Sequence, residues 1–149
     1  MQETVESIAA FVDSFFKDAL EKCCGKSDMC DMCCTGCAEA SAHFDYAGSE
    51  ETGHAKGSKM AHIVRAKAMK ENPKAKTMLQ ALKTKHGWDH RAGFLGEKGC
   101  KLPRTERSVY CQETQCRHIG EILAGKSWTL LYEKLAMLKD IRKENGLLI

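Results

Sequence analysis

The chain has 149 residues, 43% of them hydrophobic and 29% charged, with a formal net charge of +3. That length suffices to bury one real core, and two prolines with 7% aromatics argue against a low-complexity or all-β chain. The outlier is cysteine, of which there are nine. A secreted disulfide scaffold is expected to carry a signal peptide and an even cysteine count. Met1 to Glu6 holds two acids and no basic residue, and the apolar run that follows is broken by Asp13, Lys17 and Asp18. It reads as neither a signal sequence nor a membrane span. A cytoplasmic protein with reduced thiols, available to metals, is therefore expected.

In chain order, Val5, Ile8, Phe11, Val12, Phe15, Phe16, Ala19 and Leu20 recur at helical spacing and predict an amphipathic helix over 5–22, its stripe facing a core. Gly25 closes it. Residues 43–58, rich in Gly, Ser, Glu and His, read as a loop. A helix from Ser58 to about Glu71 carries Met60, Ile63, Val64 and Met69, and Asn72-Pro73 interrupts it. Pro73 suits the first turn of a further helix over 74–85, through Met78, Leu79 and Leu82, which Gly87 ends. Trp88 to Pro103 contains Gly93, Gly96 and Gly99 and is expected to be irregular. A last helix is predicted from a Ser127 cap, with Leu131, Leu135, Leu138 and Ile141 on one face, to a stop at Asn145-Gly146. No stretch alternates with period two. The expected fold is mainly α, a small helical domain with irregular cysteine-rich metal-binding loops. It is read as one domain over 1–149: an N-terminal helix to 22, a cysteine-cluster region over 23–118 with a basic helical insert at 58–86, and a C-terminal helical segment over 119–149.

Charge is unevenly spread. Residues 1–55 carry a net −8, residues 56–86 a net +8, and residues 87–149 a net +3. The basic middle suits nucleic acid or another acidic partner. The plainer alternative is a solvated face that pairs loosely with the acidic N-terminal third, and the absence of interleaved aromatics for base stacking favours it.

Six cysteines lie within fifteen residues: Cys23, Cys24, Cys30, Cys33, Cys34 and Cys37. The others are Cys100, Cys111 and Cys116. Cys30-x-x-Cys33 and Cys34-x-x-Cys37 are abutting pairs, and two intervening residues let both sulfurs reach one ion at about 2.3 Å. Neighbouring side chains diverge, so Cys33 and Cys34 are expected to serve two sites or one multinuclear cluster. Cys30, Cys33, Cys34 and Cys37 sit among Asp28, Asp31, Thr35 and Gly36, where free thiols have no packing rationale. If Cys100, Cys111 and Cys116 complete the sites, one more cysteine, Cys24 or Cys23, brings the count to eight thiolates, enough for two four-thiolate centres. A histidine can replace a cysteine in such a set, and His118 is the best imidazole candidate. Gly87 separates His86 from His90, and His43, His54 and His62 have no partner at diagnostic spacing. The two cysteine groups are expected to meet in space. Residues 23–58 and 87–118 read as too poor in apolar residues to order themselves, so metal binding is expected to supply folding energy there.

Cys30-x-x-Cys33-Cys34, then Gly99-Cys100-Lys101-Leu102-Pro103, Arg107-Ser108 and Cys111-x4-Cys116, resemble the YkgJ-type cysteine-cluster family, described as zinc- or iron-chelating domains. The resemblance covers residues 23–118 and implies Cys30, Cys33, Cys34, Cys100, Cys111 and Cys116 as ligands. Ser108 stands where a proline usually follows the arginine, Met32 where a glycine often precedes the paired cysteines, and the basic insert is long.

Thiolate-rich sites select zinc, iron–sulfur clusters or copper(I), expected here in that order. Met29 and Met32 add soft ligands that keep copper(I) in view. No nucleophile–base pair, phosphate loop or carboxylate dyad is legible beside the cysteines. The expected function is a non-catalytic structural or interaction module built on a zinc or iron centre, with an iron–sulfur protein of redox or enzymatic role as the alternative.

Overall fold

The structure is a computed structural model that describes residues 2–24, 67, 70–97, 99–113 and 117–148. Its first element, α1 (Val5–Cys24), is 20 residues long. Thr4 and Ser7 start it by capping each other: the Ser7 N–H donates to Thr4 Oγ1 at 3.1 Å and the Thr4 N–H to Ser7 Oγ at 2.8 Å. This satisfies two amides that a helix start otherwise leaves without partners. Ile8, Val12, Phe16, Ala19 and Leu20 are buried along one stripe, with Phe11 and Phe15 packed at its margin. The helix thus runs two residues beyond its predicted end, into Cys23 and Cys24.

Lys67, Lys70 and Glu71 are helical. The rest of the helix predicted over 58–71, and the loop predicted over 43–58, lie outside the described residues. The next helix, α2 (Pro73–His86), matches its prediction to within a residue at each end. Asn72 Oδ1 accepts from the Lys74 N–H at 3.0 Å, and Pro73, lacking an N–H, occupies the first position at no cost in hydrogen bonds. Gly87 ends the helix at a φ of +82°, its N–H donating to the Lys83 carbonyl at 2.9 Å.

Residues 88–103, expected to be irregular, contain a tight turn and a short hairpin. Asp89 Oδ1 accepts from the backbone N–H of Arg91 at 2.7 Å and of Ala92 at 2.9 Å. The bonds from Ala92 and then Arg91 hold its carboxyl below the usual value. Gly93 closes the turn with a positive φ of 63°. β1 (Leu95–Gly96) then pairs antiparallel with β2 (Gly99–Cys100), Leu95 opposite Cys100. Two-residue strands have no alternation to read, so period could not reveal them. The same blindness covers α3 (Val109–Glu113) and α4 (Arg117–Ile122), which are one turn or so each. The last helix, α5 (Trp128–Glu144), begins after Ser127 as predicted, but the Ser127 side chain makes no capping hydrogen bond. It ends as predicted, with Gly146 at a φ of 69° and the Leu147 N–H donating back to the Arg142 carbonyl at 2.8 Å.

Two apolar clusters result. The larger joins α1 to Val109 of α3, Ile119 and Leu123 around α4, and Leu131, Leu135 and Leu138 of α5. Phe15 and Trp128 close its rim edge-to-face at 5.2 Å. The smaller joins Ala75 and Leu79 of α2 to Phe94 and Leu102, with Met78, Leu82, Trp88 and Cys100 packed against it. Phe94, Leu102 and Val109 are all buried. Residues 87–113 therefore contribute apolar packing through a few well-spaced side chains that dock on the helices. Among the described residues no helix is long and apolar enough to cross a membrane.

Candidate metal centre

Leu102 packs in the smaller cluster and Val109 in the larger, so the residues between them form the junction of the molecule. Each residue of the 3-10 turn Arg104–Glu106 is tied to a different helix. The Arg104 Nε–H donates to Asp13 Oδ1 of α1 at 2.7 Å. The Thr105 carbonyl accepts from the Arg142 guanidinium of α5 at 3.1 Å. Glu106 receives Lys85 Nζ at 2.5 Å on one oxygen and His86 Nε2 on the other, both from α2. Partial burial pushes the Glu106 carboxyl up, but the hydrogen bonds from Lys85 and His86 outweigh it and hold the group below its ordinary value.

The junction continues inward. Arg107, 2% exposed, donates from Nε to the Leu102 carbonyl at 2.9 Å. The Arg107 carbonyl in turn accepts from the Gln112 side-chain amide at 3.0 Å. Ser108 is buried, and its Oγ accepts the Cys111 N–H at 3.1 Å, which caps the short helix α3. Ser108 thus performs a task that a proline, having no side-chain oxygen, could not.

Cys100 and Cys111 stand at the two ends of this tied segment. Cys100 ends β2, held by its pairing with Leu95 and by the Lys101 N–H, which donates to the Phe94 carbonyl at 2.7 Å. Cys111 is the third residue of α3. Both are half-buried thiols. Cys23 and Cys24 are the last two residues of α1. His118 falls on α4, and His86 is committed to Glu106. Cys30, Cys33, Cys34, Cys37 and Cys116, and with them His43, His54 and His62, lie outside the described residues. Among the described residues no group of three or more His, Cys, Asp or Glu side chains converges on a point that could hold a metal ion. Half-buried cysteine side chains on a segment tied at several points are a donor type that fits zinc or an iron centre.

Sequence reasoning missed Arg104, Glu106 and Gln112 as organising residues. Nothing in their spacing signals burial, since charged residues are mostly exposed. Only Arg107, through the family resemblance, was singled out. Comparison with known protein families, curated proteins and solved structures finds no match to the chain.

Proposed function

We propose that this chain is a cysteine-thiolate metal-binding protein of the kind the YkgJ-type resemblance implies, with zinc as its metal and no catalysis of its own. The ligands would come from Cys24, Cys30, Cys33, Cys34, Cys37, Cys100, Cys111 and Cys116. The observation that supports this reading best is the anchoring of Cys100 and Cys111. A stretch of ten residues between two thiols is tied by side chains to three separate helices, which is how a protein holds ligands at fixed positions. Zinc bound by four thiolates would act there as a structural staple, making no demand on a substrate pocket. The adjacent pair Cys33-Cys34 supports the second reading, an iron–sulfur centre with a redox role, because such a pair suits a multinuclear cluster.

Elemental analysis and absorption spectra of the full chain purified without oxygen test both readings. The expected result is at least one zinc per chain and a colourless protein. A brown protein that bleaches on reduction would support the second reading, and protein lacking any stoichiometric metal would overturn both. Cys111→Ser is expected to lower the metal content of the whole chain, including the share held by residues 30–37. Full metal retention in that variant would rule out sites shared between the two cysteine groups.

A further inference from the structure

Helix α2 divides its residues cleanly. Ala75, Met78, Leu79 and Leu82 go to the smaller core. Lys74, Lys76, Thr77, Gln80, Thr84 and Lys85 are exposed. The helix contains four lysines and no acid, and Lys67 and Lys70 just before it are also exposed. Among the described residues, the partners these lysines find lie at Gly146, Trp88 and Glu106. Lys74 Nζ donates to the Gly146 carbonyl, and also approaches the Leu148 carbonyl at 3.4 Å. Lys83 Nζ lies 4.5 Å from the Trp88 ring centroid. Among the described residues, only Lys85 meets a carboxylate, that of Glu106. Carbonyls and an aromatic ring orient an ammonium group without cancelling its charge. Six lysines in 67–86 against Glu71 and Glu106 leave a net of +4 along this strip.

We propose that the lysine face of α2 binds the phosphate backbone of duplex nucleic acid without reading its sequence. The donors offered outward are mainly ammonium groups. The hydroxyls of Thr77 and Thr84 turn back onto the helix carbonyls of Pro73 and Gln80, at 3.3 and 3.0 Å. Phosphate contacts of this kind position a duplex, whereas base readout needs side chains that reach base edges. A membrane surface fits less well, because the apolar residues of α2 are spent on the core and leave nothing to insert. An acidic protein fits less well too, since such interfaces centre on aromatic or arginine anchors, and the aromatic that touches this face, Trp88, is covered by Lys83 and packed edge-on against Phe94 at 4.9 Å. That same engagement of Trp88 removes the stacking platform a single strand requires. Because three of the ammonium groups are already held in place, less side-chain freedom is lost on binding.

Fluorescence anisotropy of a labelled random-sequence DNA duplex of about 20 base pairs, titrated with the full chain at several salt concentrations, tests this. Log affinity is expected to fall linearly with log salt, with a slope of about −3 to −4 for four neutralised phosphates. Lys70→Gln with Lys76→Gln is expected to weaken binding about tenfold in low salt and to make the slope shallower by about two. Lys17→Gln with Lys126→Gln makes the same charge change on α1 and ahead of α5, and is expected to alter affinity less than twofold; circular dichroism confirms that both variants fold. Three outcomes would overturn the proposal: no saturable binding in low salt, equal loss in the two double variants, or equally tight binding to polyglutamate or to phosphatidylserine vesicles.

Discussion

Glu106 shows what a single residue can decide in this molecule. It lies twenty residues beyond His86 in the chain, and no pattern of spacing announces that the two meet. Its carboxyl is held below its ordinary value of 4.5 by Lys85 and His86. A group whose folded value is lowered stabilises the fold above its unfolded value, and that contribution is lost as pH falls through the folded value. Glu106→Gln is therefore expected to lower stability at pH 7 by about 1–2 kcal/mol, the usual scale for charge-assisted hydrogen bonds with one partner exposed. The difference from the unsubstituted chain should shrink as pH falls through the carboxyl's lowered value, where the group itself becomes neutral. Urea unfolding midpoints measured from pH 7 to pH 3 check this; a difference that persists in acid would mean that shape and not charge is what Glu106 supplies.

At the scale of elements, legibility followed length. The helix predicted over 5–22 and the last helix declared themselves through stripes long enough for period to emerge, and Pro73 and Gly87 bounded α2 for backbone reasons that hold in any context. Within α5 the stripe also ranks its residues. Leu135 is fully buried while Met137, two residues on, is 43% exposed. Leu135→Ala is expected to cost about 2–5 kcal/mol through lost burial and a residual cavity, and Met137→Ala within about 0.5 kcal/mol. Chemical denaturation of the two variants distinguishes them, and similar losses would mean that the helix faces are wrongly assigned. Gly87→Ala should cost about 1 kcal/mol or more, since alanine resists a φ of +82°. Here the neighbouring space is not the obstacle: the nearest atom to an added Cβ is the flexible Lys101 Nζ at 3.7 Å. The hairpin, α3 and α4 escaped the sequence because elements of two to six residues draw their stability from tertiary packing and not from their own pattern.

For the whole molecule, the finding that matters is a pair of apolar clusters joined through a polar, charged turn. Each cluster has buried side chains of its own, so apolar burial contributes to the packing on both sides of the turn. Under the proposed function, removing the metal with a strong chelator is expected to lower the melting temperature while most helical circular dichroism survives at low temperature. The helices α1 and α5 should persist, and the segment between Cys100 and Cys111 should lose protection from hydrogen exchange first. Complete loss of helicity on chelation would show that the metal, and not the larger cluster, carries the fold. An unchanged melting curve would remove the metal's structural role.

From residues alone came the long helices, the glycine and proline boundaries, the density of cysteine and the segregation of charge. All of these are local or additive properties, readable from neighbours in the chain. Only the tertiary structure decided that Arg104 and Arg107 are buried, that Glu106 meets Lys85, and that Lys74, Lys76 and Lys85 of α2 are exposed. Those outcomes depend on which side chains meet across separations of twenty to ninety residues, and the desolvation of a charge is settled by what surrounds it after the chain has closed, not by what precedes and follows it in the sequence.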